Sequence, residues 1–367
     1  MLFLIGVLLI FFAKEYGMFD NKNLVSDVES FVSNEKNKID NGETKSDSKE
    51  VTKENIEAPE IIEVEGNIDD SELNKNYNNI KIDKFFYDQL DENSKIIYNA
   101  LEENKENMKS GNFEINLGSS FSNLLSQADG KELLGNYYQA AIEAYMYDNV
   151  DVYYIDPTRM FLNIESTTKL GKTKYQTFIN SGNLGTYFID EFDSKEQVDE
   201  ANNNLEAIRK YFTQNDQGSI YANIKLVHDY LVESIEYDTS LSQKNIYNIY
   251  GALINKKCVC EGYAKAFKYI MDGLNIPCVL VTGTAVNSNG DTQDHAWNYV
   301  QIDKNWYAID VTWDDPILIN GGFLTNSAKY KYFLKGKNEF EQTHFANGVL
   351  TEGSREFEYP NLNDNNY

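Results

Sequence analysis

The chain has 367 residues, a formal net charge of −25 at pH 7 and three cysteines. The charge argues against nucleic acid and anionic lipid headgroups as partners, because phosphates would be repelled. Three cysteines cannot build a disulfide framework and leave at least one free thiol. The length allows two domains, or one domain with long appendages.

The N-terminal segment 1–13, MLFLIGVLLIFFA, is an unbroken apolar run, and Lys14 is the first charge. It is short of the roughly 20 residues that a spanning helix needs. It has the length of a signal-peptide apolar region, but no basic segment precedes it and no cleavage pattern follows. A signal anchor in the cell membrane, with an extracytoplasmic domain, is the preferred expectation. A cleaved signal on a secreted protein and a buried first element are the alternatives. Residues 14–79 are dominated by Asp, Glu, Lys, Asn and Ser. Such a stretch cannot bury enough apolar surface to offset chain entropy, so a disordered acidic and polar linker is expected.

Order is expected from about residue 80, with a mixed α/β N-terminal region over 80–205. Phe85, Leu90, Ile96, Ile97, Leu101 and Met108 recur at helical spacing, and Gly111 suits a C-cap. NFEINL (112–117) alternates as a strand, and residues 130–150 read as a second helix. VYYIDP (152–157), RMFLNIEST (159–167) and YQTFINSG (175–182) read as strands. Helices follow at 194–213 and 218–236, the latter with Ile220, Ile224, Val227, Leu231 and Ile235 on one face. A further helix is expected over 260–274.

IPCVLVTGTAV (276–286) reads as a strand buried on both faces. HAWNYVQIDKNWYAIDVTW (295–313) reads as two strands around a turn at 303–305. A C-terminal extension is expected over 326–367. In it YKYFL (330–334) is a strand candidate, and the last residues, NLNDNNY, read as frayed. There is no internal repeat, Gly-rich phosphate loop or metal-type cysteine spacing.

The chemistry concentrates in two places. Trp297, Trp306 and Trp313 are the three tryptophans of the chain, and they lie just after His295, one of three histidines. Cys258 and Cys260 sit where the helix 260–274 begins. A helix N-terminus favours a thiolate through its free N–H groups and its dipole. A histidine on a neighbouring strand could take the thiol proton, and an acid on the far ring nitrogen would fix the tautomer. With a two-residue turn at Asp303–Lys304, Asp310 faces position 297 across the ladder. His295 is then its diagonal neighbour on the same face. A three-residue loop would put the two on opposite faces.

CEGYAKAFKYI, HAWNYVQIDKNWYAIDVTWDDP and their spacing resemble the transglutaminase-like superfamily, a papain-like α+β fold found in bacterial surface proteins. The strong resemblance covers about 218–316, and the catalytic core is expected over 206–325. The resemblance implies Cys260 as nucleophile, His295 as base and Asp310 as orienting acid. The chain departs from the family at Cys258, where a small residue is usual. Cys258 and Cys278 then read as core packing.

For the oxyanion, the Cys260 N–H is a natural donor, and Tyr237 or Gln243 are candidates for a second. His228 and His344 read as structural residues, and Asp314–Asp315 as a turn. No cofactor is expected, and no metal, because zinc wants three or four ligands and one cysteine and one histidine are suitably placed. The expected function is thiol-dependent acyl transfer on protein or peptide amides, either to an amine or to water. Wall-associated or extracellular protein is the expected substrate. The rival expectation is a catalytically silent binding module of the same fold.

Overall fold

Helix α1 (Glu92–Glu103) begins where the Asp91 carboxylate accepts hydrogen bonds from the N–H groups of Asn93 and Ser94. This cap breaks the single helix expected over 85–108. Asn104 then separates α1 from the short α2 (Lys105–Met108). Ile97 and Leu101 are buried, whereas Ile96 is 40% exposed. The computed structural model describes residues 84–241, 243–315, 325–348 and 356–367. The apolar segment 1–13 and the linker 14–79 therefore lie outside the described residues.

Strand β1 (Ile115–Gly118), α3 (Gly130–Asp148), β2 (Phe161–Lys169) and β3 (Lys172–Asn180) come next. The three strands form an antiparallel sheet in the order β1-β3-β2. VYYIDP is not a strand. Asp156 accepts from the Thr158 N–H and starts a short 3-10 turn at Pro157, and Ile155 alone bridges to Phe188.

Helix α4 (Lys195–Gln214) opens at Ser194, whose hydroxyl accepts from the Gln197 N–H. The boundary expected between 205 and 206 falls inside this helix. Helix α5 (Ile220–Ser234) buries Ile224, Val227 and Leu231. Strand β4 (Glu236–Tyr237), α6 (Ile249–Leu253) and β5 (Lys257–Cys258) lead into α7 (Cys260–Gly273). The parallel pairing of β4 with β5 sets Tyr237 beside Cys258.

Strands β6 (Cys278–Val286), β7 (Thr292–Ile302) and β8 (Asn305–Ile309) are followed by α8 (Asn326–Lys329), α9 (Lys337–Phe340) and β9 (His344–Ala346). They make an antiparallel sheet in the order β8-β7-β6-β9. The Asn298 amide donates to the Ala264 carbonyl at 3.0 Å and fastens α7 onto β7. Helices combined with antiparallel sheets, with the Cys260 helix packed on one of them, give the expected α+β class.

Two expectations for the C-terminal part are corrected. YKYFL forms turns, with Leu334 at φ 48°, and the pairing with Ala308 comes from Lys335. The last residues are docked rather than frayed. Leu362 is buried and bridges Trp306, whose carbonyl accepts from the Asn363 N–H at 2.8 Å. A continuous apolar core includes residues from Phe86 to Leu362, so the N-terminal region packs with the helix–sheet unit. Among the described residues, no helix is long and apolar enough to cross a membrane.

Candidate active site

Cys260 is the first residue of α7, with Val259 in extended conformation at the N-cap. The Val259 N–H is held by the Ile246 carbonyl at 3.0 Å. The first N–H groups of α7 have no acceptor within the helix. Gly262 lets this turn sit against the preceding strand, since a Cβ there would stand 2.5 Å from Cys258 Cβ. Cys258 and Cys278 are buried and Cys260 is partly exposed. Burial pushes the Cys258 and Cys278 thiols well above their usual range. They pack, as expected.

The turn between β7 and β8 has two residues, with Ile302 paired to Asn305. Both turn residues take positive φ, 49° at Asp303 and 69° at Lys304. This is the register required to bring His295 and Asp310 together. His295 Nε2 lies 2.7 Å from Asp310 Oδ2, and both side chains are buried. Cys260 lies close enough to His295 for its thiol to help raise the pKa of the ring. With Nε2 engaged by Asp310, Nδ1 is the nitrogen left for the thiol.

Burial alone would lower the pKa of His295. The Asp310 carboxylate and its hydrogen bond, followed by the nearby Cys260 thiol, reverse this and raise it to about 10. Burial would likewise raise that of Asp310, but His295 and His344 hold the carboxyl well below its usual range. The three expected residues, Cys260, His295 and Asp310, therefore meet in space.

A fourth residue joins them. His344, expected in a polar tail, is buried on β9 with Nε2 3.1 Å from Asp310 Oδ2. The ring stacks on Phe340 at 4.0 Å and meets the edge of Trp313 at 4.6 Å. Burial keeps its pKa below the usual histidine range. The Trp313 N–H donates to the other oxygen, Asp310 Oδ1, at 3.1 Å. Trp297 and Trp313 flank His295 at 5.9 and 5.2 Å, while Trp306 serves the C-terminal docking instead. The signal for His344 was its rarity. Nothing local to its position marked it.

Asp314 is also more than a turn residue. It is buried, with Oδ2 3.1 Å from His228 Nε2, and its Oδ1 accepts from the Tyr332 N–H at 2.7 Å. The other ring nitrogen of His228 meets Asp229 at 3.1 Å. A second His–Asp set thus lies behind the first, and burial pushes Asp314 up to about 6 despite it.

Tyr147 from α3 and Cys260 both pack against Ala264, Leu280 and Ala296. The N-terminal region therefore packs on the same apolar cluster as Cys260. Burial, then the proximity of Cys260 and Cys258, keeps the Tyr237 hydroxyl protonated beyond its usual range. Gln243 is exposed, and its N–H donates to Asp238 Oδ2 at 3.0 Å.

His295, Asp310 and His344 bring three ligand-type atoms within 4.8 Å of one another. That is one histidine more than the sequence reading placed there. Both Nε2 atoms bond the same carboxylate oxygen, so hydrogen bonding accounts for their convergence.

Residues 206–311 match the family model of the transglutaminase-like superfamily, and the chain carries a domain of that family. The chain is similar to kyphoscoliosis peptidase from Homo sapiens and from Mus musculus. Each is 28% identical over 137 residues, covering 33% of this chain and 20% of the relative. The chain thus matches about a fifth of the length of these curated relatives. Among solved structures, similarity extends to a TGase, with 17% identity, TM-score 0.28 and coverage of 48% of this chain and 50% of that one. It extends also to the periplasmic domain of TgpA from Pseudomonas aeruginosa, with 13% identity, TM-score 0.24 and coverage of 42% and 63%.

Proposed function

We propose that the chain is a thiol-dependent acyl-transfer enzyme acting on amide groups of proteins or peptides. The observation that carries this reading is one connected set. The partly exposed thiol at the start of α7 lies near enough to His295 to raise the pKa of its ring, and Nε2 of that ring bonds Asp310 at 2.7 Å. In this reading Cys260 Sγ gives its proton to His295 Nδ1 and attacks the amide carbonyl carbon. The developing oxyanion is met by the Cys260 N–H, with the Tyr237 hydroxyl as second donor. The C–N bond breaks, the leaving amine takes the proton from His295, and a thioester remains. Water or an amine then attacks the thioester, its proton passes to His295, and Cys260 is released as the thiol.

The choice between amine and water is tested directly. The protein is incubated with a glutamine-containing peptide and a labelled primary amine, and products are weighed by mass spectrometry. Amine incorporation identifies transfer, and a shortened or deamidated peptide identifies hydrolysis. Neither product, or product that persists in Cys260→Ala, would overturn the reading. The proposal also includes location: the segment 1–13 anchors the chain in a membrane. Full-length protein that leaves the membrane fraction on alkaline carbonate washing would refute this part.

A further inference from the structure

The carboxylate of Asp310 receives two histidines on one oxygen. His295 Nε2 and His344 Nε2 stand 2.7 and 3.1 Å from Oδ2. An ionised carboxylate only accepts hydrogen bonds, so both Nε2 atoms carry hydrogen. Thr343 Oγ1 is 2.9 Å from His344 Nδ1. In a neutral His344 that nitrogen is an acceptor, and the Thr343 hydroxyl supplies its hydrogen. With His344 neutral, the chain runs from Thr343 Oγ1–H to His344 to Asp310, the Phe340 carbonyl at 3.5 Å being the other acceptor within reach of that hydroxyl. Phe340 and Trp313 hold the ring in place.

A second donor to Oδ2 drains charge from the oxygen that stabilises the His295 imidazolium. A Cys–His pair must both hold its proton and release it to a leaving group. A lone buried carboxylate favours holding. The other ionisable groups around the pair are Cys260 on α7, Tyr237 on β4, and Asp314 and Tyr332 behind Asp310. Of these, none donates to Asp310 Oδ2 among the hydrogen bonds described.

We propose that His344 is a positioning residue that shares Asp310 Oδ2 with His295, fixing the carboxylate and limiting how strongly it retains the imidazolium proton. The significance for catalysis rests on the acyl-transfer reading, but the hydrogen-bond arrangement can be measured without any substrate.

The chain has three histidines, so the full-length protein labelled with ¹⁵N-histidine yields a simple spectrum. In the native protein at pH 7, His344 is expected as the neutral Nε2–H tautomer. In His344→Phe, which keeps a ring but loses the donor, the His295 titration midpoint should rise by about one pH unit. Its Nε2–H signal should also move downfield. His344→Gln, which can donate from a similar reach, should restore both values toward the native ones.

A charged or Nδ1–H His344 in the native protein overturns the proposal without any variant. So does an unmoved His295 in a His344→Phe protein whose His228 signals remain native. If the histidine signals behave as expected but Cys260 processes no amide, the acyl-transfer reading fails and the positioning role stands.

Discussion

Gly283 on β6 pairs directly with His295 on β7, and a Cβ at Gly283 would stand 2.1 Å from the Phe345 carbonyl oxygen on β9. The absence of a side chain at one position thus lets the strand carrying His344 approach β6, the direct neighbour of the strand carrying His295. Gly283→Ala should force β9 outward and strain the Trp297 ring, 2.8 Å from the same point. A loss of about 1–3 kcal/mol is expected, the usual cost of overpacking. Denaturant unfolding measures it. An unchanged midpoint would mean that β9 does not need this close approach.

Alkylation should discriminate sharply among the cysteines. Cys260 is partly exposed, while Cys258 and Cys278 are buried with thiols held protonated. Iodoacetamide at pH 7, followed by peptide mass spectrometry, should label Cys260 first. His295→Ala should slow that labelling by about a hundredfold, the lower end of the range attributed to a positioned base. Equal rates in the two proteins would remove His295 from any role in activating the thiol.

The buried His295–Asp310 pair gives stability a defined pH window. His295 is raised from 6.5 to about 10, so its contribution is full below 6.5 and lost as pH rises through about 10. Asp310 is lowered from 3.8, so its contribution is present above 3.8 and lost as pH falls through its lower folded value. The difference in melting temperature between the native protein and His295→Leu should therefore be largest between pH 3.8 and 6.5 and shrink toward pH 10. A difference that stays constant from 6.5 to 10 would contradict the raised value.

The hairpin turn offers a gain in stability. Lys304 sits at φ 69°, where a side chain is disfavoured and glycine is at ease. Lys304→Gly should relieve that conformation and stabilise the protein by a few tenths of a kcal/mol, to about 1 at most, after the entropy cost of glycine in the unfolded chain. Thermal unfolding measures this change, and a lower melting temperature would show that the Lys304 side chain matters more than its backbone.

What could be read from sequence was local or periodic. Cys260 was placed at a helix start by the apolar spacing behind it. The pairing of His295 with Asp310 followed from counting across a two-residue turn, because strand register follows from loop length. His344 could not be found this way. Its strand has three residues and pairs with β6, whose partner there, Ala285, lies far back along the chain. Such pairing leaves no periodic trace near His344. Asp314 was obscured by its neighbours: Asp-Asp-Pro reads as a turn, and its burial against His228 depends on α5 packing behind it. In VYYIDP, β-prone side chains were outweighed by Pro157 and the Asp156 turn.

The order of synthesis adds a temporal side to the position of β9. The family match closes at residue 311, soon after Asp310. A chain made that far already contains Cys260, His295 and Asp310, but Asp310 has not met its second histidine. That contact waits until translation has passed His344 and β9 has reached β6. The docking of Leu362 against Trp306 comes later still. A nascent chain therefore holds the thiol and its base before it holds the part that balances them.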